Sequence, residues 1–397
     1  MEPRAVFERV PAVGIAPPTL FKSFWMGGFE SACQLNTQCR RIDMIARTQH
    51  DSQADLDYAN LRRVGISTAR DGIRWPLIET APGVYDFSSF DSQLNASIRH
   101  GVQVLWNLCH YGWPDDLDLF SADFVPRFAR YCAAVARHIR ARSDDTMLFC
   151  PINEMSFLAW AIGERLIIHP VRPGRAEEAK HQIIRAAIAG MEAIWQIDPT
   201  SRFAHIDPII RVLPKSDHPD DIAAARAQHN AQYAAWDMIA GRLNPELGGA
   251  AKYLDVVGVN YYHSNQWIQP DVRLPWEAKP RDPRYAPFNV MLRECYDRYQ
   301  RPIFVAETSH FGAGRAQWLE EMAQACCDAR QDGIPLEGLC IYPIIDRPDW
   351  ENDDHWHNSG LWDLLPDHQG KLQRVLHGEY AAALRDAQRS MRLHGCI

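Results

Sequence analysis

Two glutamates in this chain stand where reactive groups stand in an enzyme. Glu154 closes the run Phe149-Cys150-Pro151-Ile152-Asn153-Glu154, and Glu307 closes the run Ile303-Phe304-Val305-Ala306-Glu307. Each run is apolar, short and ends on a carboxylate, which is how a buried strand ends at a site. Two such strand ends facing one sugar-sized space can cleave a glycosidic bond. One carboxyl hands a proton to the leaving oxygen while the other acts on the opposite side of the ring.

Residues so far apart in the chain need a scaffold that repeats. Short apolar runs alternate with amphipathic helical stretches, the pattern of βα units. The strand candidates are Phe24–Phe29, Gly65–Asp71, Val102–Leu108, Met147–Ile152, Arg202–Ile206, Leu254–Val259, Ile303–Ala306 and Gly338–Tyr342. Helical spacing marks Asp51–Val64, Phe124–Ala141, Arg175–Gln196, Asp221–Gly241 and Ala316–Gly333, with Asp198-Pro199 and Gly333 as stops. Eight strands alternating with helices predict an α/β fold, a single (β/α)8 TIM barrel, with its site at the C-terminal strand ends. A doubly wound open sheet is the competing architecture, but Gly27-Gly28 is not its phosphate-loop fingerprint. The polar stretches Arg211–Asp220 and Asn265–Phe288 read as loops. The reading is one catalytic domain over residues 1–397, with 1–20 as an N-terminal extension.

Composition bounds the function. The chain has 397 residues, 46% of them hydrophobic, enough for one large core. A net charge of −8 argues against nucleic acid, which wants a basic face. Thirteen Trp serve either as core or as platforms on which a pyranose stacks. The ten cysteines, with Cys326 and Cys327 adjacent, read as free thiols rather than a disulfide framework or zinc site. Met1–Leu20 holds Glu, Arg and several Pro and no signal-peptide core, and no stretch reaches membrane length, so the expected location is cytoplasmic. The sequence does not set the oligomeric state.

At the strand ends the chain resembles clan A glycoside hydrolases, and among them the family-one β-glycosidases. Asn153-Glu154 is similar to that clan's fourth-strand Asn-Glu pair, which implies that Glu154 is the general acid/base. Such a group must rest protonated, and a neighbouring carboxylate raises its pKa. Glu307 matches the seventh-strand nucleophile, although Ala306-Glu307-Thr308-Ser309 stands where family one has Thr-Glu-Asn-Gly. A nucleophile works ionised, so it wants a cation and donors. The resemblance supplies Arg70, from Arg70-Asp71-Gly72-Ile73-Arg74-Trp75, and Tyr262, from Asn260-Tyr261-Tyr262. Arg74 is the rival to Arg70. His110, in His110-Tyr111-Gly112-Trp113-Pro114, resembles the family's His-Trp-Asp-Leu-Pro turn and would bind a sugar hydroxyl. Asn153 would bind the 2-hydroxyl, and Gln34 resembles the first-strand glutamine that binds sugar hydroxyls.

The eighth strand departs from the family. Tyr342 replaces the Trp under the sugar, Asp349 replaces the Glu that grips two hydroxyls, and Trp350 is retained. Ser359-Gly360-Leu361-Trp362-Asp363 resembles the family's Phe-Gly-Leu-x-x-x-Asp. The implied function is a retaining β-glycosidase acting on a carbohydrate or glycoside. A transglycosidase using the same site and a catalytically silent carbohydrate-binding barrel are the alternatives. No cofactor is implied. His355 and His357, in Asp353-Asp354-His355-Trp356-His357, lack a third ligand, so the segment reads as a solvated or substrate-binding loop and no metal is expected.

Overall fold

The computed structural model describes residues 18–352 and 354–397. Most of the expected N-terminal extension, and Asp353 of the histidine-rich segment, lie outside the described residues. Eight strands form the barrel: β1 Trp25–Gly28, β2 Thr68–Gly72, β3 Gln103–Asn107, β4 Leu148–Cys150, β5 Arg202–Pro208, β6 Val256–Asn260, β7 Ile303–Thr308 and β8 Leu336–Ile341. Each pairs in parallel with its sequence neighbours, and β1 pairs with β8, closing the ring. The chain therefore has the (β/α)8 TIM-barrel fold that the alternating pattern predicts.

Alternation along each strand decides which side chains fill the ring. Leu105, Leu148, Cys150, Ile206, Phe304 and Cys340 point inward with Met26 and Phe21 as one buried cluster. Their neighbours Trp106, Phe149, Phe203 and Val305 point outward and join the larger layer between strands and helices. The helices supply matching stripes. Phe124–Arg140 buries Phe124, Phe128, Tyr131, Val135 and Ile139 along one face. Ser88–His100 stops at Gly101, whose φ of 63° is the left-handed conformation glycine accepts.

Three expectations are corrected. The stretch Asp221–Gly241 is two helices, Pro219–Asn230 and Ala234–Ile239, joined by a 3-10 turn at Ala231–Tyr233. The stretches Arg211–Asp220 and Asn265–Phe288 are not plain loops, because Arg211–Leu213, Gln266–Ile268 and Val272–Arg273 form a small sheet beside the site. Gln266 fixes it from below, donating to the Tyr261 hydroxyl and to the Ala286 carbonyl, both at 2.8 Å. Finally, Cys327 and Cys396 are disulfide-bonded and the other eight cysteines are free. The two meet because helices Arg315–Gln331 and Gly378–Leu393 pack together, which a 69-residue separation does not advertise. A disulfide is more usual in oxidising compartments than in the cytoplasm. Among the described residues no helix is long and apolar enough to cross a membrane.

Candidate active site

The C-terminal ends of the strands surround a cavity of about 260 Å³. Glu154, Glu307, Tyr262, His110, Tyr342 and Trp350 all line it. The two glutamates reach it from opposite halves of the ring, and their surroundings differ.

Glu154 follows β4 and immediately precedes helix Met155–Gly163. Its φ of 45° is left-handed, a conformation that costs a non-glycine residue of order 1–3 kcal/mol and gathers at functional sites. The strand-to-helix corner is held from β5: Glu154 N–H donates to the Ile206 carbonyl at 2.9 Å, and Ser156 N–H donates to Asp207 at 3.0 Å. One carboxyl oxygen accepts from Asn260 Nδ2 at 2.7 Å and the other accepts from the Tyr111 hydroxyl. No cation touches it among the described residues. Burial, with the Glu307 charge second, pushes its pKa up to about 8, and the Tyr111 and Asn260 bonds pull against that rise. This is a carboxyl poised to rest protonated near neutrality.

Glu307 is bound by a cation. Arg70 Nη1 donates to one carboxyl oxygen at 3.0 Å and the Tyr262 hydroxyl to the other at 2.8 Å. Arg70 itself is fully buried inside the ring, a position that only pairing makes tolerable. It also donates to the Ala306 carbonyl at 2.6 Å and to Asn153 Oδ1 at 2.9 Å, and its guanidinium lies 5.0 Å from the Tyr342 ring centroid. Burial opposes its charge, but the Glu307 carboxylate together with Tyr342, Cys340 and Cys150 outweighs burial, and its pKa ends above the usual value. Arg74 lies elsewhere, paired with Asp43 and Asp51.

Asn153 is buried and committed to protein. Its oxygen accepts from Arg70, and its amide nitrogen faces the Tyr111 hydroxyl at 3.1 Å and His110 Nε2 at 3.2 Å. It joins the surroundings of both glutamates without lining the cavity. Burial pushes the His110 pKa down to about 3, so its imidazole is neutral. Tyr342 floors the cavity because Gly28 lets it approach: a Cβ there would fall 2.1 Å from the ring. Trp350 lies edge-on to Tyr111 at 5.8 Å, and its indole N–H is buried with no partner among the described residues.

Besides Asn153, two residues expected at the sugar lie off the cavity. Gln34 is buried off the cavity, and the first-strand group that lines it is Glu30. The chain leaves β1 irregularly, so counting along it misplaces the side chain. Asp349 does not line the cavity either. Its short carboxylate accepts from the Glu351 and Asn352 N–H groups at 2.9 and 3.2 Å and faces His357 at 3.2 Å, closing its own turn. Arg347 and His357 face the cavity instead, with Arg347 3.4 Å from Glu30. Tyr111 and Asn260 were within reach of sequence reasoning, since both sit in the motifs that carry His110 and Tyr262. Among the described residues His355 and His357 belong to no group of three ligands, whereas His263, Glu277 and His310 bring ligand atoms within 4.8 Å of one another.

No family model matches the chain. Among curated proteins it is 21% identical to the aryl-phospho-β-D-glucosidase BglA of Bacillus subtilis, over 79% of this chain and 80% of that one. It is 22% identical to the 6-phospho-β-glucosidase AscB of Escherichia coli, over 73% of each. Among solved structures it superposes on a Thermotoga maritima β-glucosidase in complex with deoxynojirimycin, with a TM-score of 0.75 and 14% identity, covering 94% of this chain and 99% of that one. The same protein in complex with glucoimidazole gives 0.73 at 16% identity, over 88% of each chain. The structural likeness establishes the barrel.

Proposed function

We infer that this chain is a divergent family-one glycoside hydrolase of clan A, a single catalytic barrel that hydrolyses a β-linked glycoside with retention of configuration. One observation carries the reading: two glutamates line one cavity in opposite electrostatic surroundings. Pairs of carboxyls whose environments push them apart divide the acid and nucleophile roles. Arg70 and Tyr262 favour the carboxylate of Glu307, which attacks the anomeric carbon. Glu154, buried and without a cation, gives its proton to the leaving oxygen. The C–O bond to the leaving group breaks as the bond to Glu307 forms. Glu154, now ionised, takes a proton from water, and that water releases the sugar from Glu307.

His110, Tyr342 and Trp350 support the sugar in this reading, with Glu30 lining the same cavity. Asn153 acts through Arg70 and Tyr111. The curated relatives' names include phosphorylated substrates, so the test uses aryl β-glycosides with and without a 6-phosphate. Turnover of a β-anomer, lost by orders of magnitude in Glu307→Gln and Glu154→Gln, is expected, and the first-formed sugar seen by NMR is the β-anomer. An α-anomer as first product overturns retention. Turnover untouched by Glu307→Gln overturns the nucleophile. Sugar binding without any turnover overturns the hydrolase reading.

A further inference from the structure

Beside the glutamate pair, on the wall made by the loops after β6 and β7, three metal-ligating side chains converge. His263 directly follows Tyr262, and His310 lies three residues after Glu307. Both line the cavity. Glu277 comes from the long loop beyond the small sheet and lines the adjoining cleft together with His310. A ring nitrogen of each histidine and a Glu277 oxygen lie within 4.8 Å of one another.

The hydrogen-bond geometry of His310 adds to this proximity. Its Nδ1 lies 3.0 Å from the Phe311 carbonyl oxygen and its Nε2 lies 3.1 Å from Glu277 Oε1. Both neighbours are acceptors, and a neutral imidazole has one N–H. Nε2 thus faces a carboxylate oxygen at a spacing that a shared cation can bridge. His263 supplies a separate observation: its Nδ1 is buried with no hydrogen-bond partner among the described residues.

The surroundings resemble a ligand shell. Arg273 donates to both Glu277 oxygens, at 3.0 and 3.2 Å, and to the His263 carbonyl at 3.3 Å, so it holds two of the three ligands in place. The Phe311 carbonyl would fix the His310 tautomer with Nε2 free to coordinate. Gly314 lets the ring in, since a Cβ there would lie 2.4 Å from His310 Nδ1. A tetrahedral zinc-type ion needs ligand atoms about 3.3 Å apart. The Glu277–His310 pair, at 3.1 Å, is already near that spacing, so closing the site asks the remaining ligand to move by at most about 1.5 Å.

We propose that His263, Glu277 and His310 form a binding site for one divalent transition cation of the zinc type, with its fourth position open toward the cavity. Two histidines, one carboxylate and an open position is a zinc ligand set. The ion would tie the loop that carries Tyr262 to the loop that follows Glu307. This proposal does not depend on the reaction assigned above, and its test does not read activity.

The test uses untagged, full-length protein stripped with EDTA and titrated with CoCl2, then with ZnCl2. One equivalent of Co2+ with the intense visible absorption of a tetrahedral site, displaced by Zn2+, is expected. Glu277→Gln is the deciding variant because its exposed side chain makes misfolding least of a concern. It should weaken binding at least as much as loss of an outer-shell partner does, roughly 10–100-fold, and His263→Ala and His310→Ala should do likewise. His355→Ala should retain the full equivalent. Only the weak absorption of an octahedral complex, or tight binding unchanged in Glu277→Gln, overturns the site.

Discussion

Replacing Tyr111 with Phe removes a single hydroxyl and should move the basic limb of the pH–rate profile upward. The phenol donates to Glu154 and thereby favours its ionised form, so it holds the Glu154 pKa below where burial and Glu307 would put it. Asn260 remains as the other donor. A hydrogen bond to a charged group contributes about 1.5–3 kcal/mol, and one pKa unit is about 1.4 kcal/mol. Loss of the bond therefore corresponds to a rise of about one to two units, nearer one because water at the cavity edge replaces part of the donor. The assay is kcat/KM against pH on an aryl β-glycoside, where the basic limb reports loss of the acid's proton in the free enzyme. The wild-type limb is expected near the Glu154 value of about 8. The direction separates a specific role from general damage. A site merely loosened by the substitution admits water, relieves the desolvation of Glu154 and lowers its pKa. An unmoved limb, or a limb moved to lower pH, refutes the reasoning.

Glu154→Gln should raise the melting temperature relative to wild type, by a margin that grows with pH. The folded pKa lies above the ordinary 4.5, so the native state holds that proton longer than the unfolded chain and loses stability as pH rises toward about 8. Melts across that range check it, and a constant margin counts against it. His50 gives a second slope of the same sign. Burial opposes its charge, but Asp71 and Asp57, at 2.9 and 2.8 Å, outweigh burial and raise its pKa to about 9. Its contribution is complete below about pH 6.5 and is lost as pH rises through about 9, worth up to about 3 kcal/mol in urea unfolding; no loss in that window means the buried ring is neutral. Gly28→Ala should drive Tyr342 from the cavity floor, costing about 1–3 kcal/mol of stability by overpacking and raising KM more than it lowers kcat; unchanged KM removes Tyr342 from the sugar site.

What the sequence discloses follows from which interactions are local. The eight strands are legible because inward and outward side chains alternate within each, and because a strand buried on both faces is apolar throughout. Glu154 and Glu307 are legible as carboxylates that close apolar strands, and Arg70 and Tyr262 through the family resemblance; Glu154, Glu307 and Tyr262 line one cavity, with Arg70 bound to Glu307. Gln34 misleads because the segment after β1 is irregular, so a one-letter match stands in for Glu30, the residue of that segment that lines the cavity. Asp349 misleads for a different reason. The substitution is legible, but its consequence is a turn in which the shorter carboxylate reaches backbone N–H groups instead of the cavity. The Cys327–Cys396 bond depends on helix packing, and the small sheet on pairing between segments from different loops.

The deepest gap concerns the glutamates themselves. They are the same residue and each ends an apolar strand, so apart from the family resemblance at Asn153-Glu154 nothing local assigns them the different roles proposed above. Their difference comes from groups on other elements. Arg70 arrives from β2 to charge-pair one and Tyr262 from beyond β6 to donate to it, while Tyr111 from beyond β3 and Asn260 from the end of β6 give the other neutral donors only. Asn153 binds Arg70 with one end and faces Tyr111 with the other, so the two environments are built against each other. A barrel makes this possible because neighbouring strands end at one rim at different angles to a shared centre. Exchanging the roles would take a cation at Glu154 as well as the loss of Arg70. An Arg70→Met variant should therefore leave an enzyme with no effective nucleophile rather than one with its carboxyls interchanged.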